Sequence, residues 1–206
     1  MMKYTTLSSD EIRKAAYEEA KRQFFEYGIA GTEMRRIANN VGIGRATLYR
    51  YFSSVDQLAF MAVTEFLHKM NAETYEYQED AALNGIENVH RYYDLFISVT
   101  LRHPDYMAFF QQFDQQYPSR HTEAPESEEF SREAHERMQY MLAMFCKGQS
   151  DGSIRKDIDT EAIIITLENT LFGLAQRMIS AAERTSDTVE RSMKWVAHAL
   201  IDSLKP

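Results

Sequence analysis

The feature that most constrains this chain is the spacing of its apolar residues. They recur at intervals of three and four along almost the whole sequence, and nowhere alternate as a half-buried strand would. Ile12, Ala15, Ala16, Phe24 and Tyr27 make the first stripe. Ser8 and Glu11 precede it at capping-box spacing, Leu7 and Ile12 are placed for a hydrophobic staple, and Gly28 supplies the stop. A shorter stripe, Met34, Ile37, Ala38 and Val41, follows the N-cap candidate Thr32 and ends at Gly42. A third short helix is predicted from about Arg45 to Tyr51. Ser54 and Gln57, again at capping-box spacing, open a fourth through Leu58, Met61, Ala62, Phe66 and Met70.

Further along, Asn84-Gly85 breaks the pattern, and a helix bearing Ile86, Val89, Tyr93, Phe96 and Thr100 stops before Pro104. Tyr106 to Phe113 reads as an aromatic-rich helix, and residues 118–128 as a loop. A helix with Phe130, Ala134, Met138, Met141, Leu142 and Phe145 follows, then a turn at Ser150-Asp151-Gly152. Asp159 caps a helix bearing Ile163, Leu167, Leu171, Leu174 and Met178. The last helix starts near Asp187 and carries Val189, Met193, Val196, Leu200 and Leu204. The expected fold class is all-α with about nine helices. There is no run long enough for a membrane span and no signal-peptide core, so a cytoplasmic protein is expected. The single cysteine, Cys146, excludes an intrachain disulfide and a multi-thiolate metal site, and its place near the end of an apolar helix suggests packing.

Net charge is −8, but it is unevenly spread: residues 1–52 hold nine Lys/Arg against six Asp/Glu, and residues 53–206 hold fourteen against twenty-five. A small basic head on an acidic body follows. Within the head, Thr32 to Leu58 has the form of a helix-turn-helix: a short amphipathic helix, a glycine turn and a second short helix. Ala38 is small where helices cross, and Gly42 can take a positive φ. Ile37, Val41 and Leu48 can close a miniature core, with Phe52 anchoring the exit. Projected on a helix, Leu48, Tyr51 and Phe52 fall to one side. Ala46 and Arg50 fall to the other, flanked by Thr47 and Tyr49, with Arg45 at the N-terminal end. In a recognition helix that end is the one that enters the major groove, where Arg45 would suit a guanine and Ala46 would permit close approach. Thr32, Tyr49, Arg50 and Tyr51 are suitable phosphate donors.

These residues resemble the N-terminal domain of the TetR/AcrR family of transcriptional regulators. The shared positions are Thr32, Ile37, Ala38, Gly42, Ala46, Thr47, Leu48, Tyr49, Tyr51, Phe52, Asp56 and Leu58, within a likeness covering about residues 8–66. Two departures stand out: Gly44 replaces a usual serine, losing a helix cap and a phosphate contact, and Val55 replaces a usual lysine. The resemblance implies a helix-turn-helix DNA-binding domain at 1–53 and a ligand-binding and dimerisation domain at 54–206. It implies a homodimer on a palindromic double-stranded operator, and a small-molecule effector that relieves repression.

In that body, residues 159–204 suit a self-complementary four-helix interface using Leu171, Gly173, Leu174, Met178, Met193, Val196 and Leu200, with the only tryptophan, Trp195, on the second helix. The resemblance places an effector pocket among the aromatic and methionine-rich helices, with Tyr93, Phe96, Phe110, Phe113, Met138, Met141, Phe145 and Phe172 as candidate walls, although such stripes are also ordinary core. Glu168 sits among Ile164, Leu171, Phe172 and Ala175, and its carboxylate needs a partner: Arg91, Arg177 or a cationic ligand. No cofactor or metal is expected, and phosphate-loop, HExxH and GxSxG motifs are missing. Two readings compete with a repressor: an activator or DNA-bound factor with a protein partner, and a di-iron carboxylate bundle using the Glu-x-x-His pairs Glu65/His68 and Glu87/His90.

Overall fold

In a computed structural model the described residues are 8–75, 79–118, 126–179 and 186–206. They form nine α-helices and no strand: α1 (Ser9–Tyr27), α2 (Met34–Val41), α3 (Arg45–Tyr49), α4 (Val55–Tyr75), α5 (Gly85–Arg102), α6 (Pro104–Gln116), α7 (Glu126–Asp151), α8 (Thr160–Ile179) and α9 (Ser186–Asp202). Among these residues no helix is long and apolar enough to cross a membrane. Two compact units result. The first runs up to Glu65 and adds Phe109–Phe130; the second takes Phe66–Ala108 and Ser131–Pro206.

The first unit begins with the predicted capping box: the Ser8 hydroxyl accepts the Glu11 N–H, and Glu11 accepts the Ser8 N–H. Leu7, the other half of the expected staple, lies outside the described residues. Thr32 does not cap α2. That position belongs to Glu33, without a side-chain bond, while the buried Thr32 hydroxyl donates to Gly28 O at 2.8 Å. Gly42 ends α2 in the left-handed region, φ +78°, as the turn requires. At α4 the Ser54 hydroxyl accepts the Gln57 N–H, but Gln57 reaches back to the N–H of Ser53 instead of Ser54. The box is therefore displaced by one residue.

An aromatic core completes this unit. Phe60 meets Phe113 at 4.8 Å and Tyr117 at 5.0 Å between ring centroids, and Phe24 meets Phe109 at 5.5 Å. Three polar ties join the sequence-distant segment to the rest of this unit. Gln112 Oε1 accepts the Ile29 N–H, Tyr117 donates to Asp56 Oδ1 at 2.6 Å, and Gln57 donates to Glu126 at 2.6 Å.

In the second unit α5 packs on α9 and α8. Asn84 and Glu87 form a full capping box at the start of α5. A side chain at Gly85 would sit 2.2 Å from Gly148 Cα, so two glycines let α5 and α7 cross here. The end of α7 then caps the start of α5, with Asp151 accepting the Gly85 N–H at 2.6 Å. Asp159 caps α8 as expected, accepting the Ala162 N–H. Pro104, expected to follow a helix end, is also the first residue of α6, where its missing N–H costs nothing. Cys146 is exposed, because the buried stripe of α7 runs through Met141, Met144, Phe145 and Gly148.

Candidate nucleic-acid interface

α3 has only five residues, two fewer than expected at its C-terminal end. Leu48 and Phe52 are fully buried against the core that also takes Ile37 and Ala38. Val41 is only half-buried. With those anchors inward, Arg45, Ala46, Tyr49 and Arg50 remain exposed, and Thr47 and Tyr51 are half-buried. Tyr49 keeps 46% of its surface open, which a core tyrosine would not. The Arg50 guanidinium lies 5.8 Å from the Tyr51 ring. Gly44 occupies the N-cap of α3 and no side chain caps that end. A Cβ at Gly44 would meet only Thr47 Oγ1, at 3.8 Å.

Behind this face α1 and α2 are fastened together. Glu19 accepts from Arg22 and Gln23 on its own helix and from Asn40 at the end of α2, and these bonds, Arg22 foremost, hold its carboxyl down to about 2. Arg36 stacks 4.5 Å from the Tyr27 ring and donates to Gly31 O. It secures the α1–α2 turn. Thr32, expected as a phosphate donor, has its hydroxyl proton committed to Gly28 O and is buried.

The candidate effector residues are divided between two cores. Phe113 packs with Phe60, Tyr117 and Phe130 in the first unit, where the largely buried Phe110 also belongs. Tyr93, Phe96, Met141 and Phe145 are fully buried in the second, while Met138, Glu168 and Phe172 are half-buried there. Glu168 does have an ion-pair partner, but it is neither Arg91 nor Arg177. Arg137 donates Nε and Nη2 to its two oxygens at 2.9 and 2.7 Å, and Nη1 to Asn71 Oδ1 at 3.1 Å. The same guanidinium lies 4.9 Å from the Phe96 ring. Burial alone would make that guanidinium easier to deprotonate; Glu168 more than offsets this and holds it charged. Arg91 instead bonds Asp80, and Arg177 is exposed. The signal for Arg137 was its register: it falls four before Met141 and seven before Met144.

Of the expected interface residues, Leu171, Met178 and Met193 point into the second unit's own core, because α5 and the α8–α9 pair close on one another. Gly173 is exposed, and Leu174, Val196 and Leu200 are half-buried. Trp195 is 74% exposed beside a shallow groove lined by Leu174, Met178, Thr188, Arg191 and Val196.

The Glu-x-x-His pairs do not converge. Glu65 accepts from Tyr17 and Lys21, His68 faces Glu133, Glu87 caps α5, and His90 bonds Asp202. Among the described residues no three His, Cys, Asp or Glu side chains are grouped to hold a metal ion.

A short helix, a left-handed glycine turn and a second short helix with an uncovered polar face define a helix-turn-helix domain in an all-α chain. Residues 7–61 match the family model of the bacterial regulatory proteins of the tetR family. Residues 7–61 are thus similar to that family's N-terminal domain, and the all-α fold is similar to those of solved regulators. Over 70 residues it is 33% identical to the HTH-type transcriptional regulator SAB2452 of Staphylococcus aureus, a match covering 34% of this chain and 38% of that protein. The chain thus spans little more than a third of that relative's length in the match. The fold is shared with the ketosteroid transcriptional regulator KstR2 of Mycobacterium tuberculosis, at a TM-score of 0.67 and 18% identity over 94% of this chain and 95% of that one. It is also shared with a transcriptional regulator from Saccharomonospora viridis solved in complex with choline, at a TM-score of 0.64 and 19% identity over 89% and 94%.

Proposed function

We propose that this chain is a ligand-responsive transcriptional regulator, acting in the cytoplasm as a repressor. It binds a palindromic operator as a homodimer and is released by a small molecule held in its second unit. Residues 1–53 read DNA, and the effector and the partner copy are bound within residues 54–206, by the part that forms the second unit, whereas residues 54–65 and 109–130 pack with the first. The exposed face of α3 carries the reading, since Arg45, Ala46, Tyr49 and Arg50 have no role in the core beneath them. Arg45 suits a guanine edge, Ala46 permits close approach, and Tyr49, Arg50, Thr47 and Tyr51 suit phosphates. Thr32 acts instead by holding the entry to α2.

The face of α8 and α9 that bears Trp195, Gly173, Leu174, Val196 and Leu200 is apolar and open, and suits a second copy of the chain. The choline complex of the Saccharomonospora protein shows that this fold holds a small molecule in that relative. Effector control follows if the ligand prefers a head spacing that the operator does not accept. The test is selection of duplexes from a random pool by the purified protein, followed by gel shift. A recovered inverted repeat bound by two copies supports the reading. Recovery of no common sequence contradicts it.

A further inference from the structure

The second unit holds a largely buried ion pair with hydrogen-bond donors left over beside it. Arg137 is almost wholly buried, and its guanidinium is matched by Glu168 through two bonds. An arginine only donates, so the contact at 3.1 Å fixes the Asn71 amide with Oδ1 towards Arg137. Its Nδ2 therefore faces the other way. That nitrogen is buried and has no hydrogen-bond partner among the described residues. The hydroxyl of Tyr93, on a side chain with no exposed surface, is likewise buried and without one. Its phenol lies within the field of both Glu168 and Arg137, and its proton is held tightly, first by burial. Two donors from α4 and α5 thus border one neutralised pair from α7 and α8.

The electrostatics select the ligand. Glu168 already has a cation, and Arg137 already occupies the face of Phe96. A cationic ligand would have to displace a bidentate arginine, and an anionic one would meet Glu168 at close range. Adding net charge of either sign to a buried, balanced centre is uncompensated and costly. A neutral oxygen acceptor meets no such cost and satisfies donors that are otherwise unpaired. Met138, Glu168 and Phe172, on α7 and α8, are half-buried.

We propose that this centre binds an uncharged, largely apolar molecule carrying a carbonyl oxygen, which accepts from Tyr93 Oη and Asn71 Nδ2. The inference rests on the reading of the chain as an effector-controlled regulator and names the effector's class.

The test uses the full chain and three probes of equal tail length: 2-decanone, decanoate and decyltrimethylammonium, below micelle-forming concentrations. Binding is measured by calorimetry without DNA. The ketone is expected to bind at least tenfold more tightly than either ion. Tyr93→Phe is expected to weaken the ketone about tenfold and leave the weak binding of the ions unchanged. That variant removes an unpaired buried hydroxyl, so its melting temperature is expected to stay level or rise. Asn71→Leu gives a second measurement of the same loss. Equal binding of the three probes, preference for either ion, failure of the ketone to bind, or full ketone affinity in both variants overturns the proposal. Because DNA is absent, the outcomes separate. A chain that holds its operator but not the ketone loses this inference alone, and one that binds the ketone but no duplex loses the regulator reading.

Discussion

Gln112 Oε1 accepts the backbone N–H of Ile29 at 3.2 Å, so a side chain of α6 closes the turn that delivers α2. The amide it satisfies is partly buried and has no helical partner. Gln112→Ala is expected to cost about 1 kcal/mol, the usual net worth of such a bond. DNA affinity should fall several-fold, because α2 and α3 lose a fixed approach although Gln112 touches no DNA. Gln112→Glu keeps an acceptor and should recover most of both losses. Thermal melts with a duplex titration check this; an alanine variant unchanged in both would contradict it.

Gly44 leaves α3 uncapped in a backbone conformation, φ −69° and ψ 146°, that any residue adopts. There is room for a side chain beside Thr47 Oγ1. Gly44→Ser should therefore raise stability by a few tenths of a kcal/mol. It should also tighten binding to all duplexes alike by adding one phosphate donor. Chemical denaturation and competition with non-specific DNA measure the two effects. A loss of stability would show that the site does not accept the cap.

The Arg137–Glu168 pair predicts an asymmetry. The Arg137 side chain is 5% exposed and that of Glu168 18%. Glu168→Leu strands a buried cation and should cost about 3–5 kcal/mol. Arg137→Met strands a carboxylate that reaches some solvent, and should cost less. The double variant should recover much of the loss, as replaced buried pairs often do. A double-mutant cycle by urea unfolding tests this; additive costs would contradict it.

His90 predicts a dependence on pH. Its imidazole is held below the ordinary value of 6.5, first by burial and also by the neighbouring His198, against the pull of Asp202. Facing it from α9 and the following residues are His198, Asp202 and Lys205, and His198 in turn bonds Asp94. The unfolded chain takes the proton first as pH falls, so the stability tied to neutral His90 is complete above pH 6.5. It is lost as pH drops through the lower folded value. His90→Gln should flatten the fall in melting temperature below pH 6.5. An unchanged slope would contradict the assignment.

Much of this architecture was legible because it is local. The capping box at Ser8 and Glu11, the left-handed stop at Gly42 and the cap at Asp159 each depend on residues a few positions apart. So did the outward and inward faces of α3, set by Leu48 and Phe52. What stayed hidden is long-range. Nothing near Asp56 announces Tyr117, so the contribution of Phe109–Phe130 to the first unit could not be read from either segment. Arg137 is a charged residue on an apolar stripe and reads as its edge, so nothing local in the sequence pairs it with Glu168 ahead of Arg91 or Arg177. Thr32 resembled an N-cap by type, yet its hydroxyl is taken one turn back by Gly28.

The central claim is that α3 lies against base edges twice over, through a symmetric pair of chains. Fluorescence anisotropy on a duplex enriched by the protein itself, with sedimentation of the complex, tests it most directly. Two chains per duplex and an affinity that falls steeply with salt are expected. Arg45→Ala should blur the preference for that sequence, and Tyr49→Phe should weaken every duplex equally. A chain that stays monomeric and ignores duplex DNA at low ionic strength would contradict it.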